Sequence, residues 1–93
     1  MPNIEIYSSN LCPYCARAKK LLKNKGLEFT EIDVDGDPAL HRAMIDRTKG
    51  LTSVPQIFFD NNLIGGSDDL AALEMSGELD RMLQSLGEYP SSS

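Results

Sequence analysis

The sequence predicts an α/β fold in which one four-stranded mixed sheet carries helices on both faces. Three observations predict it. Through the first half, short runs of alternating apolar residues are followed by longer segments of helical spacing. Proline and glycine stand where those helices would begin and end. The next two strand-like runs are separated only by a tight turn, so the second half opens on a hairpin. The order is strand, helix, strand, helix, strand, strand, helix, helix.

The first strand is read from Asn-Ile-Glu-Ile-Tyr at 3–7, where Ile4 and Ile6 alternate with Asn3 and Glu5. Two serines and Asn10 interrupt it. Pro13 suits the first turn of a helix, where its missing N–H is not needed. Ala16, Ala18, Leu21 and Leu22 give that helix an apolar side, and Gly26 can end it. A second strand is expected near 29–34, with Leu27 and Phe29 and, after a slip, Ile32 and Val34. Asp37 then reads as an N-cap and Pro38 as the first helical residue. On that helix Leu40, Ala43 and Met44 are expected to face inward, and Gly50 to follow the end. Val-Pro-Gln-Ile-Phe-Phe is a short β-rich run. A turn at Asp60-Asn61-Asn62 leads into Asn-Leu-Ile-Gly-Gly, its hairpin partner. Two short helices close the chain, split by Gly77 and ended by Gly87. Strand, helix and strand in the first half form a βαβ unit, so its strands should be parallel.

The chain of 93 residues is expected to form one domain, residues 1–88, with a frayed tail at 89–93 that ends in three serines. No apolar run approaches the roughly 18 residues of a membrane span, and no charged-then-apolar leader opens the chain. A membrane and a secretory route are therefore not expected, and the compartment is read as cytoplasmic. The net charge of −5 speaks against nucleic acid as a partner. A monomer is the default expectation.

The two cysteines, Cys12 and Cys15, are the chemistry-bearing feature. In a reducing compartment a C-x-x-C pair reads as redox chemistry or metal binding. A disulfide across two intervening residues closes too small a loop to staple the fold. A structural zinc site wants four ligands, and only His41 could join the cysteines. His41 belongs to a separate helix and reads as an exposed polar residue. Cys12 falls where a strand gives way to a helix, so unpaired N–H groups and the positive helix end favour its thiolate. Cys15, one turn on and nearer the helix body, should be more buried and within reach of Cys12. Arg17, with Lys19 or Lys20, can add to the positive field.

Three further motifs sharpen the reading: Cys-Pro-Tyr-Cys at 12–15, Thr-Ser-Val-Pro-Gln-Ile-Phe at 52–58 and Gly-Gly-Ser-Asp-Asp-Leu at 65–70. With the order of elements they resemble a glutaredoxin, specifically a small bacterial dithiol glutaredoxin of the thioredoxin fold. The resemblance runs from about Asn3 to Leu86. It implies a glutathione-dependent thiol–disulfide oxidoreductase with Cys12 as nucleophile and Cys15 as resolving thiol. Its partners would be glutathione, as co-substrate, and proteins bearing disulfides or glutathione mixed disulfides; no resident metal is implied. It places glutathione against Tyr14, against Ser53, Val54 and Pro55, and against Gly66, Ser67, Asp68 and Asp69. By the same resemblance Val54-Pro55 is a cis peptide, leaving the Val54 backbone to pair with an extended peptide. The residues at 65–69 read on their own as a turn, a Ser67 N-cap and acids in a helical first turn. The resemblance adds that the Ser67 and Asp68 N–H groups take the γ-glutamyl carboxylate, while Asp68 or Asp69 takes its ammonium.

The chain departs from the family pattern in two places. Glutaredoxins commonly carry lysine three residues before the first cysteine, where this chain has Ser9. Some carry arginine just before the Val-Pro segment, where it has Leu51, Thr52 and Ser53. Weaker binding of the glycyl end is expected, with Arg47 or Lys49 as candidate replacements. Two rival readings stand beside the oxidoreductase: a redoxin served by thioredoxin reductase, and a carrier whose Cys12 and two glutathiones hold an iron–sulfur cluster between subunits.

Overall fold

A computed structural model describes residues 3–85 of the chain. The expected helix stop at Gly87, the domain end at 88 and the tail at 89–93 lie outside the described residues. The elements follow the order read from the sequence: β1 (Ile4–Ser8), α1 (Pro13–Asn24), β2 (Thr30–Asp33), α2 (Pro38–Arg47), β3 (Gln56–Phe59), β4 (Asn62–Gly65), α3 (Ser67–Ser76) and α4 (Glu78–Ser85). The strands lie in the order β2-β1-β3-β4. β1 and β2 are parallel, while β3 runs antiparallel to both β1 and β4. Among the described residues no helix is long and apolar enough to cross a membrane.

The two-residue period of β1 sorts the core into two layers. Ile4 and Ile6 face α1, α3 and α4, packing with Leu22, Ile57, Phe59, Leu70, Leu79 and Leu83. Tyr7 faces the other way and packs with Phe58 and Met44 of α2. Both faces are thus covered, but unequally. On α1 the buried residues are Cys15, Ala18 and Leu22, at helical spacing. Ala16 lies off that stripe and is exposed. On α2 the structure corrects the expected inward face: Leu40 and Ala43 are exposed and only Met44 is buried. A single helix over a narrow sheet buries one thin stripe, and half-buried Ile45 completes it.

Local chemistry sets the element ends. Gly26, at φ 74°, follows α1; its N–H donates to the Lys23 carbonyl and the Leu27 N–H to that of Leu22. That is the paired closure that favours glycine, because left-handed backbone crowds a Cβ. Asp37 caps α2 by accepting the Leu40 N–H at 3.1 Å. The hairpin turn is shorter than expected. Asn62 already pairs with Phe59, so Asp60 and Asn61 alone turn the chain, both with positive φ. At the far end of α1, Lys25 reaches Glu74 of α3 at 2.9 Å and Asp80 of α4 at 2.5 Å.

Arg47 pins α2 to the sheet. Its guanidinium lies 3.9 Å from the Phe58 ring centre and donates to Tyr7 Oη at 2.9 Å and Glu5 Oε1 at 3.0 Å. A partly desolvated cation–π contact plus a charge-assisted hydrogen bond suggests that Arg47→Met lowers stability by roughly 1–3 kcal/mol. Urea denaturation checks this; an unmoved midpoint would remove Arg47 from the account.

Candidate active site

Cys12 is the N-cap of α1, in extended backbone, with Pro13 opening the helix. Its sulfur accepts the Cys15 N–H at 3.1 Å. The first turn of α1 therefore directs one of its N–H groups at the Cys12 sulfur. Cys12 is half-buried and reachable, whereas Cys15 is fully buried, and both are free thiols. In its thiol form Cys12 can also donate to the Val54 carbonyl at 3.7 Å.

The two sulfurs differ in environment as well as access. Burial pushes the Cys15 thiol up to about 12, and its hydrogen bond with Cys12 adds to this; the Ser9 backbone N–H and Lys19 pull the other way. The sign is that of a group kept protonated by the fold. Its contribution to stability is present below the ordinary thiol value of 9.0 and is lost as pH rises toward 12.

The expected positive field is smaller than the sequence suggests. Lys19 is bound to Glu31 Oε2 at 2.8 Å, and Arg17 sits 5.8 Å from the centre of the Tyr14 ring. Glu31 also accepts from Ser8 Oγ at 2.6 Å, and both bonds hold its carboxyl below the usual range, Lys19 foremost. Acids on β2 were thus placed beside α1 by the parallel β1–β2 pairing, which the local sequence does not announce.

Beside Cys12 runs a groove of about 320 Å³. One wall is Tyr14 of α1, half-exposed. A second is the loop of Ser53, Val54 and Pro55, and a third is the start of α3, from Gly66 to Asp69. Residues expected at the site from three distant segments therefore share one cleft. The Val54–Pro55 peptide is cis. Leu51, Gln56 and Gly65, which the resemblance did not set against glutathione, also line the groove. Gln56 is buried and its Nε2 donates to the Ser53 carbonyl at 3.0 Å, which holds the loop down. His41 is half-buried rather than exposed. Its Nε2 lies 2.8 Å from the Thr52 carbonyl and ties the same loop to α2. A polar residue beside the Val-Pro pair was the available signal for Gln56; none existed for His41, because the contact crosses two elements.

The start of α3 also needs correcting. Gly66, not Ser67, is the N-cap, and Ser67 is the buried first helical residue. The cap is made in reverse: Asp69 Oδ2 accepts the Gly66 N–H at 3.0 Å. Asp69 Oδ2 is thereby engaged, while Asp68 and Asp69 are both exposed and line the groove. Ser67 and Asp68 line the groove, and the N–H groups of a first helical turn have no helical carbonyl partner. Of the candidate replacements for a basic residue, Arg47 is committed to Glu5, Tyr7 and Asn61. Ser9 itself donates to Asp35 at 2.7 Å. Among the described residues no group of three or more His, Cys, Asp or Glu is placed to hold a metal.

A reachable thiol at a helix mouth, a buried partner thiol one turn on, and a cis-proline loop across from them define a dithiol redox protein of thioredoxin-like fold. Comparison with known proteins narrows the class. The glutaredoxin family model matches residues 4–64. The chain is 52% identical over 84 residues to Glutaredoxin 3 of Escherichia coli K12, covering 90% of this chain and all of that protein. The solution structure of a glutaredoxin from Brucella melitensis is similar, with a TM-score of 0.76, 49% identity and 89% of each chain covered. So is the crystal structure of a buckwheat glutaredoxin–glutathione complex, with a TM-score of 0.82, 28% identity, and 96% of this chain and 83% of that one covered. The chain belongs to the glutaredoxin family, whose members are glutathione-dependent thiol–disulfide oxidoreductases, and its two cysteines make it a dithiol member.

Proposed function

We propose that the protein reduces both glutathione mixed disulfides and protein disulfides in the cytoplasm, as a monomer, with Cys12 as nucleophile and Cys15 as resolving thiol. The observation that carries this is the asymmetry of the pair: Cys12 is reachable at the helix mouth, while Cys15 is buried and held protonated. Cys12 thiolate attacks the substrate disulfide, and one substrate sulfur leaves as a thiolate. With a glutathionylated protein, glutathione stays on Cys12 and a second glutathione removes it as glutathione disulfide. With a protein disulfide, Cys15 attacks Cys12, the reduced protein leaves, and two glutathiones restore the dithiol.

Glutathione lies in the groove. Its γ-glutamyl carboxylate meets the Ser67 and Asp68 N–H groups and its ammonium meets Asp68, since Asp69 is engaged by Gly66. Tyr14 flanks the glutathione, Ser53 and Pro55 line its path, and the Val54 backbone pairs with its cysteinyl unit. The charge pattern, the three converging walls and the glutathione complex of the similar buckwheat glutaredoxin support this placement.

Cys15→Ser should leave turnover of a glutathione mixed disulfide within about twofold of wild type. The same change should reduce protein-disulfide reduction at least about tenfold, because no resolving thiol remains. Turnover coupled to glutathione and its reductase measures both. Equal loss on the two substrates would overturn the division of roles.

A further inference from the structure

Resolution by Cys15 poses a chemical problem. Cys15 must lose a proton to attack, yet it is fully buried. A buried thiolate needs a positive charge close by. Lys19 lies four residues on along α1, on the same side of the helix. Its ammonium is not left to wander: Glu31 of β2 holds it at 2.8 Å, and Ser8 Oγ holds the same Glu31 oxygen at 2.6 Å. Ser8 is itself buried at the end of β1, the strand that leads into the cysteine loop. Arg17 of α1 lies over Tyr14, and Lys25, just past the end of α1, turns to α3 and α4.

We propose that Lys19, locked by Glu31 and Ser8, is a positioning residue that stabilises the Cys15 thiolate and so speeds the dithiol route selectively. The proposal rests on the resolving role given to Cys15 above. The groups that act on Cys15 are Cys12, Lys19 and the Ser9 backbone N–H; Glu31 and Asp33 of β2 face Lys19, and Ser8 and Lys23 face Glu31. Lys19 stays protonated, because Glu31 raises it further above its ordinary value. In the step concerned Cys15 gives its proton to water or buffer base. Its thiolate then attacks the Cys12 sulfur of the mixed disulfide, the Cys12–substrate bond breaks, and the substrate leaves as a thiolate that takes a proton. The Cys12–Cys15 bond forms as two electrons pass to the substrate. The same charge assists Cys15 as leaving group when glutathione reopens that bond.

Lys19→Met keeps length and helix propensity and removes the charge. A pKa higher by one unit leaves about tenfold less thiolate, and the greater nucleophilicity of the more basic sulfur returns about threefold. Release of reduced protein from a preformed Cys12 mixed disulfide, followed in a single turnover, is therefore expected to slow roughly threefold between pH 7 and 9. Lys19→Arg should restore it. Turnover of a small glutathione mixed disulfide, which needs only Cys12, should stay within about twofold. Wild-type release by Lys19→Met would overturn the proposal, as would equal slowing in Lys19→Met and Lys19→Arg, which would indicate packing instead of charge. Equal loss of both reactions would move Lys19 to the field of Cys12 and also overturn it. Failure of the underlying reading is separate: it would show as Cys15-independent release in the wild-type background.

Discussion

Cys12→Ser is expected to abolish turnover on glutathione mixed disulfides and protein disulfides alike, by roughly three orders of magnitude or more. The attacking species in thiol–disulfide exchange is a thiolate, and a serine hydroxyl does not ionise near neutral pH. The loss should be purely chemical. Cys12 is an N-cap whose side chain accepts the Cys15 N–H, and serine is among the preferred N-cap residues. Thermal unfolding of the variant should therefore match or slightly exceed that of wild type. Cys15 cannot take over, because it is fully buried and held protonated by that burial. Retention of more than about a tenth of wild-type activity on either substrate would mean that the nucleophile is misassigned. A large drop in melting temperature would instead mean that the sulfur has a packing role that its position at the helix mouth does not suggest.

Gly65→Ala is expected to damage the groove and the fold together. Gly65 has φ +118°, a backbone region that costs an alanine about 1–3 kcal/mol. An added Cβ would also fall 2.3 Å from Asp69 Oδ2 and 2.8 Å from Asp69 Cγ. Asp69 would have to leave the Gly66 N–H that it caps, at a further cost of about 0.5–2 kcal/mol. The sum is about 1.5–5 kcal/mol of stability, a large share of what a small domain has. Because the displaced cap is one wall of the groove, the apparent affinity for glutathione should fall at least about fivefold even where the variant is fully folded. Denaturant unfolding and the glutathione dependence of turnover read the two effects separately. Gly66→Ala is the useful contrast, since its Cβ would meet only the Pro55 carbonyl at 3.4 Å and its backbone is extended. Equal behaviour of the two variants would remove the strain argument.

The cysteine pair was legible from its own place at a helix start, whereas the Val-Pro segment and the Gly-Gly-Ser-Asp-Asp run joined it through the resemblance to glutaredoxins, since locally they read as a strand start and a helical first turn. Cys12 caps a helix, Pro55 precedes a strand, and acids crowd the first turn of α3. The places where the sequence misled are those where a neighbour elsewhere in the chain outbid local preference. Ser67 looks like an N-cap, yet Asp69 reaches back to Gly66 and shifts the cap by one residue. Leu40 and Ala43 look inward-facing, yet α2 crosses a narrow sheet and buries little more than Met44. Lys19 looks like part of an open positive field, yet parallel pairing of β1 and β2 sets Glu31 against it. Arg47 looks available to a ligand, yet Phe58, Tyr7 and Glu5 already hold its guanidinium.

By itself, then, the sequence determined the order of elements, the two-layered covering of the sheet, the helix starts at Pro13 and Pro38, and the reactive pair at 12–15. All of these follow from periodicity and from residues whose backbone or side chain acts within one turn. The burial of Cys15 was also legible, from its place one turn into α1, whereas the pairing of Lys19 and Arg47, the engagement of Asp69 by the Gly66 N–H, and the hold of Gln56 and His41 on the Ser53–Pro55 loop emerge only from the folded chain. Those outcomes depend on distances between segments far apart in the chain, and burial and ion pairing are properties of such distances, not of neighbours in sequence.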